Sequence, residues 1–176
     1  MRFEGLQVFA SEAQGFITLD EARAQMHVDD FDDAKVSACV EAACDWAENV
    51  LRQSLRPQTI LATYTTDGAD FALLTRSTFL ELVSVEYFDG ATHAIDIFRS
   101  VSVDAAAPIA RAYFREPNTN YIGGIKITYK TKAPAVFPQH VKQAVLIAAA
   151  AFYDDRNAPD LTAATNILTL SKTILP

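Results

Sequence analysis

The sequence predicts an α+β fold: a small helical bundle of a short N-terminal helix and two long helices, a β-rich middle segment, and an extended or helical C-terminal tail. Three observations carry that prediction. Apolar residues recur at three- and four-residue spacing from Val36 to Val50. Ile125, Ile127 and Tyr129 alternate with Lys126, Thr128 and Lys130. The run from Val141 to Tyr153 is apolar on nearly every side.

The elements follow in order. Thr18-Leu19-Asp20-Glu21 is a capping-box pattern, with the Thr18 hydroxyl set to accept from the Glu21 backbone while Glu21 reaches back, and it starts a short helix from Leu19 to Met26. The acidic cluster Asp29, Asp30, Asp32 and Asp33 places carboxylates at the positive end of the next helix. Val36, Cys39, Val40, Ala43, Trp46, Ala47 and Val50 form its apolar stripe, and Lys35, Asp45, Glu48 and Arg52 its other face, so it runs from Asp32 to about Gln53.

After Pro57 the composition turns to β-branched and aromatic residues between turn formers. Strands are expected at Gln58 to Thr66, Leu80 to Phe88, Ile109 to Phe114 and Ile125 to Thr131, together forming a small sheet. Asp89-Gly90 signals a hairpin that pairs Ala94 to Phe98 back onto the second of these. Pro138 sets the start of the apolar helix, which continues to Asp155; Asn157 and Pro159 end it. A helix with so little polar face needs neighbours all round, which points toward assembly. The tail from Leu161 to Pro176 is too apolar for solvent, with Leu161, Ile167, Leu168, Leu170, Ile174 and Leu175 among its polar residues.

At 176 residues the chain suits one domain, with segments 1–56, 57–133, 134–157 and 158–176. Half its residues are hydrophobic and 21% charged, the composition of a folded soluble protein. Its net charge of −7 argues against a broad basic surface wrapped by nucleic acid. The N-terminus lacks the basic and apolar run of a cleaved signal, and no apolar stretch is long enough to span a membrane, so synthesis and folding in the cytoplasm are expected.

Chemistry-bearing arrangements are sparse. Cys39 and Cys44 point apart on one helix and are expected to be core residues, not a disulfide. The acidic cluster has Asp30, Asp32 and Glu41 near calcium-loop spacing, but Ala34 stands where a ligand is wanted and Lys35 where the loop needs glycine. His27, His93 and His140 have no nucleophile or triad spacing beside them, and Gly123-Gly124 lacks the third glycine of a nucleotide loop. No catalytic residue, metal ligand set or cofactor is expected. The alternatives are a small hydrolase using Asp154 or Asp155 with His140, and a monomeric module whose sheet edge receives a peptide.

The order of features resembles the head-tail connector, or adaptor, proteins of long-tailed bacteriophages and gene transfer particles. The resemblance runs from about Ile17 to Asn157. It rests on Ile17-Thr18-Leu19-Asp20-Glu21-Ala22, on Val28-Asp29-Asp30-Phe31-Asp32-Asp33 with the helix leading to Leu55 and Pro57-Gln58-Thr59, and on Val83-Ser84-Val85-Glu86-Tyr87. Ile125-Lys126-Ile127-Thr128-Tyr129 and the closing helix from Phe137-Pro138 to Tyr153 and Arg156 complete it. The chain departs from the family at Lys130-Thr131-Lys132-Ala133 and in the tail.

The resemblance implies a structural virion protein, made in the host cytoplasm, at the neck between head and tail. It implies a homo-oligomeric ring of about a dozen copies around a DNA channel, between the portal protein and a neck, stopper or tail-completion protein. On that basis subunit contacts are expected at Trp46, Leu146, Ile147, Ala150, Tyr153 and Arg156. Portal contacts are expected at Leu161, Ile167, Leu168, Leu170, Ile174 and Leu175.

Overall fold

The computed structural model describes residues 2–11, 16–29, 32–65, 71–76, 78–88, 94–96, 101–106, 109–114, 124–134, 138–155 and 157–172. They form four helices and two antiparallel sheets, an α+β fold as expected. The chain divides into a β unit, Met1–Ala13 with Arg56–Ala133, and a helical unit, Gln14–Leu55 with Pro134–Pro176.

The helical unit holds α1 (Leu19–Met26), α2 (Asp33–Leu51), α3 (Gln139–Asp154) and α4 (Thr162–Lys172). The capping box at α1 is complete: the Glu21 N–H donates to Thr18 Oγ1 at 3.2 Å and the Thr18 N–H donates to Glu21 Oε2 at 3.0 Å. α2 stops two residues before Gln53 because Arg52 takes the left-handed conformation, φ 54°. Beyond it the chain is pinned by Glu48, a fully buried carboxylate whose Oε1 accepts the Leu55 N–H at 2.8 Å.

The neighbours that α3 requires come from its own chain. It packs against α1, α2 and α4, and none of its apolar residues is exposed. Ala144, Ala148 and Ala149 meet Ala43 and Ala47 of α2 in the same fully buried core, so the alanine run serves close approach of two helix backbones. α4 completes the bundle with Ala164 and Leu168, both fully buried. The tail is therefore helical as far as Lys172 and folded onto its own helices.

The β unit differs from the single small sheet expected. A five-stranded sheet has the order β1 (Arg2–Ser11), β2 (Gln58–Thr65), β8 (Gly124–Thr131), β4 (Phe79–Phe88), β5 (Ala94–Asp96). A three-stranded sheet has β3 (Phe71–Leu73), β7 (Arg111–Phe114) and β6 (Val101–Asp104). β5 pairs antiparallel with Glu86–Phe88, as the hairpin signal predicts, although Asp89-Gly90 itself lies outside the described residues. Gly124 is the first residue of β8.

The two sheets share one core, with Ile60, Ala62, Val85, Ile125 and Ile127 from the larger and Ala72 and Ala112 from the smaller. Tyr64, Tyr87 and Tyr129 lie in it almost wholly buried, and such phenols need partners for their polar tips. The Tyr64 hydroxyl donates to the Leu73 carbonyl at 2.6 Å, and the Arg76 backbone N–H donates to the Tyr129 hydroxyl oxygen at 3.4 Å. Burial raises the pKa of both phenols, so they remain neutral donors at physiological pH.

Candidate functional site

The residues expected to join subunits fall mostly inside the helical unit. Leu146 is buried with Ala22 and Val36, and Trp46 and Ile147 are half-buried against the main helical core. Ala150 is half-buried, and Arg156 lies outside the described residues. Tyr153 is half-buried between α1 and α2: its hydroxyl donates to the Asp32 carboxylate, and Lys35 Nζ stands 3.6 Å from its ring centroid. The hydrogen bond to Asp32, itself an anion, raises the pKa of this phenol.

The expected portal residues divide in two. Leu168 is fully buried, and Leu161 and Ile167 are half-buried against the same helical core. The side chain of Leu170, and Ile174 and Leu175, lie outside the described residues.

Of the acidic cluster, Asp32 and Asp33 stand at the start of α2 with fixed partners, and Asp30 lies outside the described residues. Asp33, in the first turn of α2, accepts from Arg23 Nε at 2.9 Å and from its terminal nitrogen at 2.5 Å, while Asp32 is held by Tyr153. Glu21 accepts from Lys142 Nζ at 2.5 Å, tying α1 to α3, and that cation together with the Thr18 N–H lowers the Glu21 pKa to about 2. Among the described residues no group of three or more His, Cys, Asp or Glu side chains is placed to hold a metal ion. His27 is the left-handed C-cap of α1, and His93 lies outside the described residues. His140 is in the first turn of α3 and Asp154 is its last residue, which separates them by about 20 Å along the helix axis. The hydrolase pairing of His140 with Asp154 or Asp155 is geometrically excluded.

Exposed apolar surface is concentrated in the β unit. Phe3, Val8 and Phe9 on β1, Leu80 and Val83 on β4, and Phe71, Leu73 and Ile109 are the exposed large hydrophobics among the described residues. Phe9 and Leu80 are the most open, at 57% and 54%. β1 is a ten-residue edge strand that the sequence reading did not anticipate. β-bulges between Phe3 and Gly5 and between Val8 and Ala10 break its period-two pattern, so the alternation that marks a strand never forms. Its signal in the sequence was β-propensity alone, in Phe3, Val8 and Phe9.

β4 is bulged twice as well, between Phe79 and Glu81 and between Leu82 and Ser84, and the unpaired extra residues there are Leu80 and Val83. Leu80 forms one wall of an open recess of about 400 Å³ with Pro57, Gln58, Thr59, Glu81, Lys130 and Thr131. Within it Lys130 Nζ and Glu81 Oε1 form an exposed ion pair at 2.6 Å. No helix of the described residues is long and apolar enough to cross a membrane.

No protein-family model and no curated protein matches the chain. Solved structures do. A chain in the neck of an empty gene transfer agent particle, computed with C6 symmetry, aligns with a TM-score of 0.70 at 14% identity over 94% of this chain and 95% of its own. The fold is that of a gene transfer agent neck component. A chain in the virion of the native particle aligns at a TM-score of 0.69 and 16% identity, over 94% of this chain and 93% of its own. A third, from the native neck computed with C12 symmetry, gives 0.59 at 16% identity over 91% and 94%. The neck-component fold thus spans both units, and the connector resemblance read from the sequence has its counterpart in the architecture.

Proposed function

We propose that the protein is a structural component of the virion neck, at the head-tail junction of a phage-like particle, and that it works by packing and geometry. The observation that carries this reading is the fold shared almost end to end with neck components, β unit and helical unit alike. In finer detail, we infer that copies form a ring between the portal and the next neck, stopper or tail-completion protein, with DNA passing through its channel. The C6 and C12 symmetries of the related necks favour a ring, and a net charge of −7 suits a conduit that does not hold DNA. Since Leu161, Ile167 and Leu168 close the helical core, portal contact falls to the last apolar residues, Leu170, Ile174 and Leu175.

Deleting the gene in a host that makes the particles tests the reading. The expected outcome is filled heads without attached tails in electron micrographs, restored by the wild-type chain. Normal tailed particles from the deletion strain would overturn it.

A further inference from the structure

We infer that neighbouring copies join by adding β1 of one chain to the open edge of β4 of the next, so that the five-stranded sheets run on from subunit to subunit. This rests on the ring reading proposed above and names the surface that would close the ring.

Among the described residues the sheet ends in two open edges, and β1 has one neighbour, β2, along its length. β5 covers only Glu86–Phe88 of β4, which leaves the outer edge of Phe79–Val85 without a strand among the described residues. Unpaired backbone donors and acceptors along such edges are templates for a further strand. Five of the exposed large hydrophobics lie on these two strands: Phe3, Val8, Phe9, Leu80 and Val83. The other open edge bearing them, β3, is three residues long.

A ring needs a head-to-tail contact, in which two different surfaces of one chain fit each other. Three antiparallel steps separate β1 from β4, so the two run in opposite directions. A copy rotated about an axis along the strands therefore brings its β1 antiparallel to β4, the more stable pairing. The sheet register then decides which residues meet. Leu6, Gln7, Val8 and Ala10 sit level, across β2 and β8, with Val85, Ser84, Leu82 and Glu81. An unshifted neighbour thus pairs Leu6 with Val85 and Val8 with Leu82 on the core side, and Gln7 with Ser84 on the other; its Arg2–Gly5 falls level with Glu86–Phe88, whose outer edge β5 already holds, so the pairing is confined to Leu6–Ser11.

Phe9, the extra residue of its bulge, arrives between the levels of Leu82 and Glu81, flanked by the exposed Leu80 and Val83 and beside the recess that Leu80 walls. Charge is compatible as well. Leu6–Ser11 carries no charged residue, and Glu81, the one charge on Phe79–Val85, is already held by Lys130 at 2.6 Å. The pairing therefore buries no unmatched ion, the costliest mistake an interface can make.

The test is a cysteine pair, Gln7→Cys with Ser84→Cys, in the full chain, oxidised at high protein concentration, with the reduced variant checked by circular dichroism for the wild-type fold. The expected result is a ladder of covalent multimers from the double variant and none from either single variant. Adding Leu80→Glu to the pair should suppress the ladder by at least tenfold. Dimers from Gln7→Cys alone would mean two-fold β1 pairing and would overturn the proposal. So would wild-type rings seen by light scattering with no ladder, an outcome that leaves the ring reading standing. A chain that stays monomeric at every concentration, with and without purified portal, and gives no ladder would overturn both.

Discussion

The helical unit and the β unit treat their apolar residues in opposite ways. α3 is the most apolar segment of the chain, yet α1, α2 and α4 cover it and leave none of its apolar residues exposed. The β unit has no segment so apolar, and yet it displays every exposed large hydrophobic among the described residues, five of the eight on the bulged strands β1 and β4. An apolar sequence states only that a surface must be covered; which chain covers it is a property of the fold. Here the segment that looks most in need of partners is satisfied at home.

The contrast can be tested first where the effect is largest. Leu168→Ala removes a fully buried side chain between α4 and its neighbours and should lower the stability of the helical unit by about 3 kcal/mol in urea unfolding. A loss below about 1 kcal/mol would mean that α4 is not held in this core and that Leu168 is free to act as an anchor after all.

A smaller effect sharpens the account of how α1 is fastened. Glu21→Gln keeps the capping geometry and removes the charge that meets Lys142, a pair open to solvent, so the expected cost at neutral pH is about 0.5 kcal/mol. Because the folded-state pKa is depressed from 4.5 to about 2, the contribution is complete above the unfolded value and fades as pH falls toward the folded one. The stabilities of Glu21→Gln and the parent should therefore differ at pH 6 and converge between pH 4.5 and 2. A gap that persists unchanged to the acid end would assign the effect to packing.

The smallest effect is the sharpest contrast with Leu168. Leu80→Ser and Phe9→Ser change the most exposed apolar side chains and should each alter the stability of the isolated chain by less than about 0.5 kcal/mol. Either variant costing as much as Leu168→Ala would place its side chain inside a core and end the distinction between the two units.

Much of the helical half was legible in the sequence because helix signals are local. Thr18 and Glu21 cap each other three residues apart, the acidic run precedes α2, and the apolar spacing from Val36 to Val50 marks its buried stripe. The β half was less legible. β2, β4, β5, β7 and β8 were expected to within a few residues, whereas β1, β3 and β6 were missed, since no turn signal or sustained alternation marks them. The candidate site was missed with them, since an exposed bulge residue such as Phe9 or Leu80 is recognisable only once its strand has a partner and a register.

By itself the sequence determined where helices start and stop, that α3 must be covered, and that no familiar catalytic or metal-binding arrangement recurs along the chain, because capping, periodicity and ligand spacing act over a few residues. Only the tertiary structure decided that α3 is covered by its own chain. It also paired β1 with β2 across more than forty intervening residues and turned the apolar strand edges outward. Those outcomes depend on contacts between segments far apart in sequence, whose register and burial no local pattern encodes.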